Sequence, residues 1–84
     1  MKVIIIDDEK AFHLVMNRLL TEMEGVEVVG CFQHPEEAMK QMSHTKVDLA
    51  FIDIEIGRQS GLDVARELRS LYTDLNMVFV TSHK

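Results

Sequence analysis

This chain of 84 residues has a single cysteine, Cys31, which cannot build an internal disulfide framework. A small fold without such staples fits a reducing compartment, so a cytoplasmic setting is expected. Long apolar runs are also missing: none approaches the roughly 18 residues that a membrane span requires. Met1-Lys2-Val3 leads straight into an apolar stretch, and no signal peptide is expected ahead of it. Cations are in the minority. Nine Lys and Arg stand against fourteen Asp and Glu, a formal net charge of −5, and the nine are scattered. Contact with nucleic acid rests on neutralising phosphates with Lys and Arg, so direct binding of DNA or RNA is not expected of this segment. Repeats, linkers and low-complexity tracts are lacking too. What remains is one small domain, with 46% apolar residues to build its core.

The apolar residues fall in a regular alternation. Val3-Ile4-Ile5-Ile6 is a continuous, β-branched run that stops at Asp7-Asp8-Glu9, and Leu49-Ala50-Phe51-Ile52 stops at Asp53. Both read as fully buried strands, over residues 2–6 and 48–53. Between Lys10 and about Glu24, Phe12, Val15, Met16, Leu19, Leu20 and Met23 recur at helical spacing, with Gly25 as the stop. Residues 26–31 form a second strand, nearer an edge because Glu27 interrupts it. Pro35 in the first turn and Glu36-Glu37 at the positive end of the dipole open a second helix, with Ala38, Met39 and Met42 on its core side. A loop through Gly57 and Gly61 leads to a third helix, from about Leu62 to Tyr72, using Leu62, Val64, Ala65, Leu68 and Leu71. Residues 76–81 form the last strand. The order βαβαβαβ predicts an α/β, doubly wound parallel sheet with right-handed crossovers.

In such sheets ligands sit outside the carboxyl ends of the strands. Asp7, Asp8 and Asp53 would meet there with no cation of their own, and like charges that close resist joint ionisation. The cluster asks for a hard divalent cation and leaves one carboxylate as a possible nucleophile. With these residues in view, the chain resembles the receiver domain of a two-component response regulator, over the first two-thirds or so of a flavodoxin-like fold with strand order 2-1-3-4. The resemblance implies that Asp53 is the phosphoacceptor and that Mg²⁺ is the cofactor. It also implies that Asp8 and Asp53 bind the metal directly, that Asp7 acts through water, and that Glu55 offers its backbone carbonyl. Gly61-Leu62 matches the opening of the third helix, and Thr81 matches the switch hydroxyl. The implied partner is a sensor histidine kinase, and the implied role is phosphoacceptance rather than conventional enzymology. Mg²⁺ suits the chemistry, since it binds through one or two carboxylates, keeps waters and accepts phosphate oxygens.

Two departures from the family pattern stand out. Gly57-Arg58 occupies the place of a Pro-Gly pair, making the loop 57–60 more flexible and adding a cation near the site. The family's lysine at the end of a fifth strand has no counterpart, because Lys84 follows Thr81 too closely. Slower phosphorylation is expected from this partial domain, residues 1–84, which lacks the last strand and helices. Its fourth strand would be an open edge inviting self-association. Two other functions compete with phosphoacceptance: a pseudo-receiver serving only for association, and an aspartyl phosphatase echoed weakly by Asp53-Ile54-Glu55. Taken singly, strand-end aspartates are ordinary solvated residues, Thr81 is a strand-end hydroxyl and Arg58 a loop charge. The four histidines, His13, His34, His44 and His83, lack metal-ligand spacing and are expected in solvated or capping roles. Cys31 and the methionines read as packing residues.

Overall fold

The computed structural model describes residues 1–80. The expected strands and helices all form: β1 (Lys2–Ile6), α1 (Lys10–Thr21), β2 (Glu27–Phe32), α2 (Pro35–Met42), β3 (Leu49–Asp53), α3 (Gly61–Leu71) and a last strand at Asn76–Val80. Between β3 and α3 lies a further pair that the sequence reading treated as loop, β4 (Glu55–Ile56) and β5 (Gln59–Ser60), so the last strand is β6. The main sheet has four strands in the order β2-β1-β3-β6, all parallel. In the numbering of the expected strands this is 2-1-3-4, the doubly wound, flavodoxin-like arrangement.

Side chains leave a strand alternately on opposite faces, and the core divides accordingly. Ile4, Ile6, Ala50 and Ile52 face Ala38 and Met42 of α2 and Val64, Ala65 and Leu68 of α3. Val3 and Ile5 face the other way, packing with Leu20, Phe12 and Met16 of α1 and with Phe51. Val3 to Ile6 are wholly buried, and each such side chain stabilises the fold by roughly 1.5–3 kcal/mol. Helix α1 uses only part of its apolar stripe. Val15 and Leu19, expected on the core side, are more than half exposed, because the sheet reaches only the Phe12–Met16–Leu20 line; Met23, exposed as well, lies past the end of the helix at Thr21. Leu62 and Leu71 of α3 are likewise exposed beside the buried Val64–Ala65–Leu68 stripe.

Candidate functional site

Strand register brings the acids together. Val3 pairs with Leu49, Ile5 with Phe51 and Ile6 with Ile52, so the next step sets Asp7 beside Asp53. Both lie an even number of residues beyond Ile5 and Phe51, which puts their side chains on the same face at the carboxyl end of the sheet. Asp8 follows in the turn to α1. One carboxylate oxygen from each of Asp7, Asp8 and Asp53 lies within 4.8 Å of the others. Asp7 is completely buried and Asp53 nearly so, while Asp8 is half-buried.

The hydrogen bonds around this cluster leave a pattern of free oxygens. Asp7 donates its N–H to the Phe32 carbonyl (2.9 Å), and its Oδ1 accepts from the Glu9 N–H (2.8 Å). Asp8 accepts at Oδ2 from the Gly57 N–H (3.0 Å) and at its carbonyl from the Gln33 side-chain amide (3.1 Å). Asp53 accepts at Oδ1 from the Glu55 N–H at 3.3 Å. Among the described residues, two buried side-chain oxygens have no partner, Asp7 Oδ2 and Asp8 Oδ1. Buried polar atoms are rarely left so without a reason, an ion being one. The donors are all hard carboxylate oxygens, the set that Mg²⁺ or Ca²⁺ prefers, so the residues fit such a cation. Burial pushes the Asp7 carboxyl above its ordinary value; the Glu9 N–H pulls it down, and the charges of Asp53, Asp8 and Glu9 push it up again.

The 57–60 stretch is more ordered than the sequence suggested. Glu55 pairs with Ser60 and Ile56 with Gln59, leaving Gly57-Arg58 as a two-residue turn. Gly57 has φ +59° while Arg58 does not have positive φ, the pattern of a type II′ turn. That turn sets the Gly57 N–H on Asp8, so the stretch is tied to the site. Ile56 is buried beneath it. Arg58 is exposed and lines, with Asp8, Gln33 and His34, a cleft of about 310 Å³. Glu55 has an exposed side chain. Gly61 is tight against the phosphoacceptor candidate: its N–H bonds the Ile54 carbonyl at 2.6 Å, and a Cβ there would overlap the Asp53 carbonyl oxygen. The Ser60 hydroxyl caps α3 by accepting the Leu62 N–H at 3.2 Å. Thr81 lies outside the described residues.

Two residues at the site escaped the sequence reading. Gln33, on the Asp8 carbonyl, had no signal beyond following β2. His13 is not solvated as expected; it is buried, with Nε2 2.5 Å from the Asp7 carbonyl oxygen. Its signal was available, since positions 13, 16 and 20 share helical spacing. Cys31 is half-buried against the α1 face, and burial raises its thiol pKa.

A family model described as the response regulator receiver domain matches residues 3–84. The chain belongs to the response regulator receiver family. Receiver domains are the phosphoacceptor modules of two-component signalling, and partner with sensor histidine kinases. Among curated relatives of this receiver chain is the sensory transduction protein LytR of Staphylococcus haemolyticus, 30% identical over 83 residues, covering 99% of the chain and 32% of that protein. The chain spans about a third of the length of the curated relatives it matches. The response regulatory domain of protein mrkE from Klebsiella pneumoniae superposes with a TM-score of 0.84 at 32% identity, over all of this chain and 69% of that one. A response regulator from Burkholderia pseudomallei, solved with a phosphorylated aspartic acid, a calcium ion and citrate, gives a TM-score of 0.83 at 25% identity, over 99% and 48%. Among the described residues, no helix is long and apolar enough to cross a membrane.

Proposed function

We propose that this receiver chain accepts a phosphoryl group on Asp53 from a sensor histidine kinase in the cytoplasm. Asp8, Asp53 and the Glu55 backbone carbonyl would hold Mg²⁺, with Asp7 acting through water. The observation that carries this reading is the pair of partnerless buried oxygens, Asp7 Oδ2 and Asp8 Oδ1, beside Asp53. The phosphorylated aspartic acid and calcium ion of the Burkholderia protein support it by likeness. An Asp53 oxygen forms a bond to phosphorus as the bond from phosphorus to the kinase histidine nitrogen breaks; that nitrogen keeps the electron pair and takes a proton. Bound Mg²⁺ supplies the positive charge that three aspartates and an anionic phosphoryl group require. The chain's own part is to aim the nucleophile. Glu55 N–H steadies Asp53 Oδ1, and Gly61 lets α3 start directly against the Asp53 backbone. Gly57-Arg58 adds a cation at the rim, and Thr81 is the switch hydroxyl.

The test is labelling by a small phosphodonor. Label should depend on Mg²⁺, be released by hydroxylamine as an acyl phosphate is, and vanish in Asp53→Asn. Label that persists in Asp53→Asn overturns the assignment. With a net charge of −5, this segment is not proposed to contact nucleic acid directly.

A second reading concerns residues 1–84 as a partial receiver on their own. Strand β6 pairs with β3 on one side, and its Val78 and Phe79 are each 41% exposed. Leu62, Ala65, Met77 and Phe79, together with Arg66 and Arg69, line a groove of about 360 Å³ along it. Open strand edges with apolar flanks pair with other chains, so the 84-residue chain should form homo-oligomers through β6. Sedimentation as a compact monomer at micromolar concentration contradicts this.

A further inference from the structure

Among the described residues, three polar or charged side chains are buried: Asp7, Asp53 and His13. The first two belong to the carboxylate site, and the third is bonded to it. His13 Nε2 lies 2.5 Å from the Asp7 carbonyl oxygen. A carbonyl oxygen only accepts, so Nε2 carries the hydrogen and donates. Packing alone does not require an imidazole here, since a leucine could fill an apolar gap between α1 and the sheet. The imidazole adds a donor for one particular main-chain oxygen.

That oxygen has leverage on the site. The Asp7 carbonyl and the Asp8 nitrogen belong to one rigid peptide plane, so holding the oxygen fixes the direction in which Asp8 leaves β1. The neighbouring points are already held: the Asp7 N–H on Phe32, Asp7 Oδ1 on the Glu9 N–H, and Asp8 Oδ2 on the Gly57 N–H. The His13 N–H in turn bonds the Glu9 carbonyl at 3.3 Å in the first turn of α1, so the imidazole ties that turn back to the end of β1. We propose that His13 is a positioning residue for the carboxylate site: its imidazole N–H fixes the Asp7–Asp8 peptide and keeps the three carboxylates within reach of a single cation. The role needs a donor at Nε2, which both the neutral Nε2–H tautomer and the imidazolium provide.

The proposal rests on the metal-binding reading, and its test separates the two. In the 84-residue chain, His13→Leu fills the space without a donor, and His13→Gln sets an amide donor at similar reach. Mn²⁺ binding is followed by electron paramagnetic resonance. Amide exchange at Glu9 and Gly57, the donors to Asp7 and Asp8, is followed without metal. Removing a group that orients metal ligands typically costs 10–100-fold in affinity. His13→Leu should therefore weaken Mn²⁺ binding about tenfold or more and speed exchange at Glu9 and Gly57, with Ile5 and Ile52 unchanged. His13→Gln should recover most of both losses. Wild-type affinity and exchange in His13→Leu overturn the proposal, as does acceleration spread evenly over the sheet, which marks packing alone. If the unsubstituted chain binds no Mn²⁺, the metal reading fails, and the exchange pattern still decides whether His13 holds the Asp7–Asp8 peptide.

Discussion

Asp8→Asn tests the charge conflict at the carboxyl edge of the sheet. The substitution removes one charge, and the amide oxygen can still accept the Gly57 N–H that Asp8 Oδ2 now accepts. Two full charges 4.8 Å apart repel by about 3.5 kcal/mol at an effective dielectric constant of about 20. Asp8 has two such neighbours, but the real effect is smaller. It is half-buried, and water screens part of the repulsion. A net relief of about 1–2 kcal/mol follows, which for a domain of this size raises Tm by roughly 5–15 °C. Thermal denaturation in chelator, at fixed protein concentration, measures it. Mg²⁺ should favour the unsubstituted chain instead. At about 100 times its Kd it adds about 2.7 kcal/mol to the unsubstituted chain, and it should add little to Asp8→Asn. A lower Tm for Asp8→Asn in chelator, together with an undiminished response to Mg²⁺, would show that the three carboxylates neither repel one another nor share a cation.

Asp7 gives the site a pH dependence. Its folded pKa is raised above 3.8, chiefly by burial, so the folded chain keeps a proton that the unfolded chain releases. Stability from this group is therefore full below the unfolded value and declines as pH rises from there through the raised folded value. In chelator the unsubstituted chain should lose stability relative to Asp7→Asn as pH rises above 3.8, and parallel curves in denaturant titrations would contradict this. Gly61→Ala inserts a methyl against the main chain of Asp53 and Ile54, which cannot swing aside as a side chain can. It should cost about 1–3 kcal/mol in chemical denaturation and slow phosphorylation out of proportion, because the displaced backbone carries Asp53; unchanged stability would show that the approach is looser than described.

Why so much was legible, and where it stopped, follows from local physics. Strands of period two that end in acid identify their own register partners. Ile6 and Ile52 sit side by side, so the meeting of Asp7 with Asp53 needed only the parallel pairing of β1 and β3. The glycine at 61 was readable as an element boundary, but its contact with Asp53 was not, since it depends on the angle at which α3 meets the sheet. Helical spacing marked Phe12, Val15, Met16 and Leu19 alike; only the packed fold separates the buried line from the exposed one, because an apolar stripe can be wider than the surface it meets. The β4–β5 hairpin was missed because one buried apolar residue, Ile56, is too little for a period to show. Gly57-Arg58 was nonetheless a turn signal in its own right. His13 was set aside because it lacks metal-ligand spacing, although its place on the buried line of α1 was readable; its bond is to main chain rather than to another side chain.

With a cation bound, Asp53 and no other residue of this chain should take a phosphoryl group. Peptide mapping by mass spectrometry after reaction with a small phosphodonor tests it directly. One phosphoryl group is expected, on the peptide carrying Asp53, formed with Mg²⁺ and absent in chelator. A phosphoryl group on Asp7, Asp8 or a histidine, or equal modification of Asp53 in chelator, would contradict it.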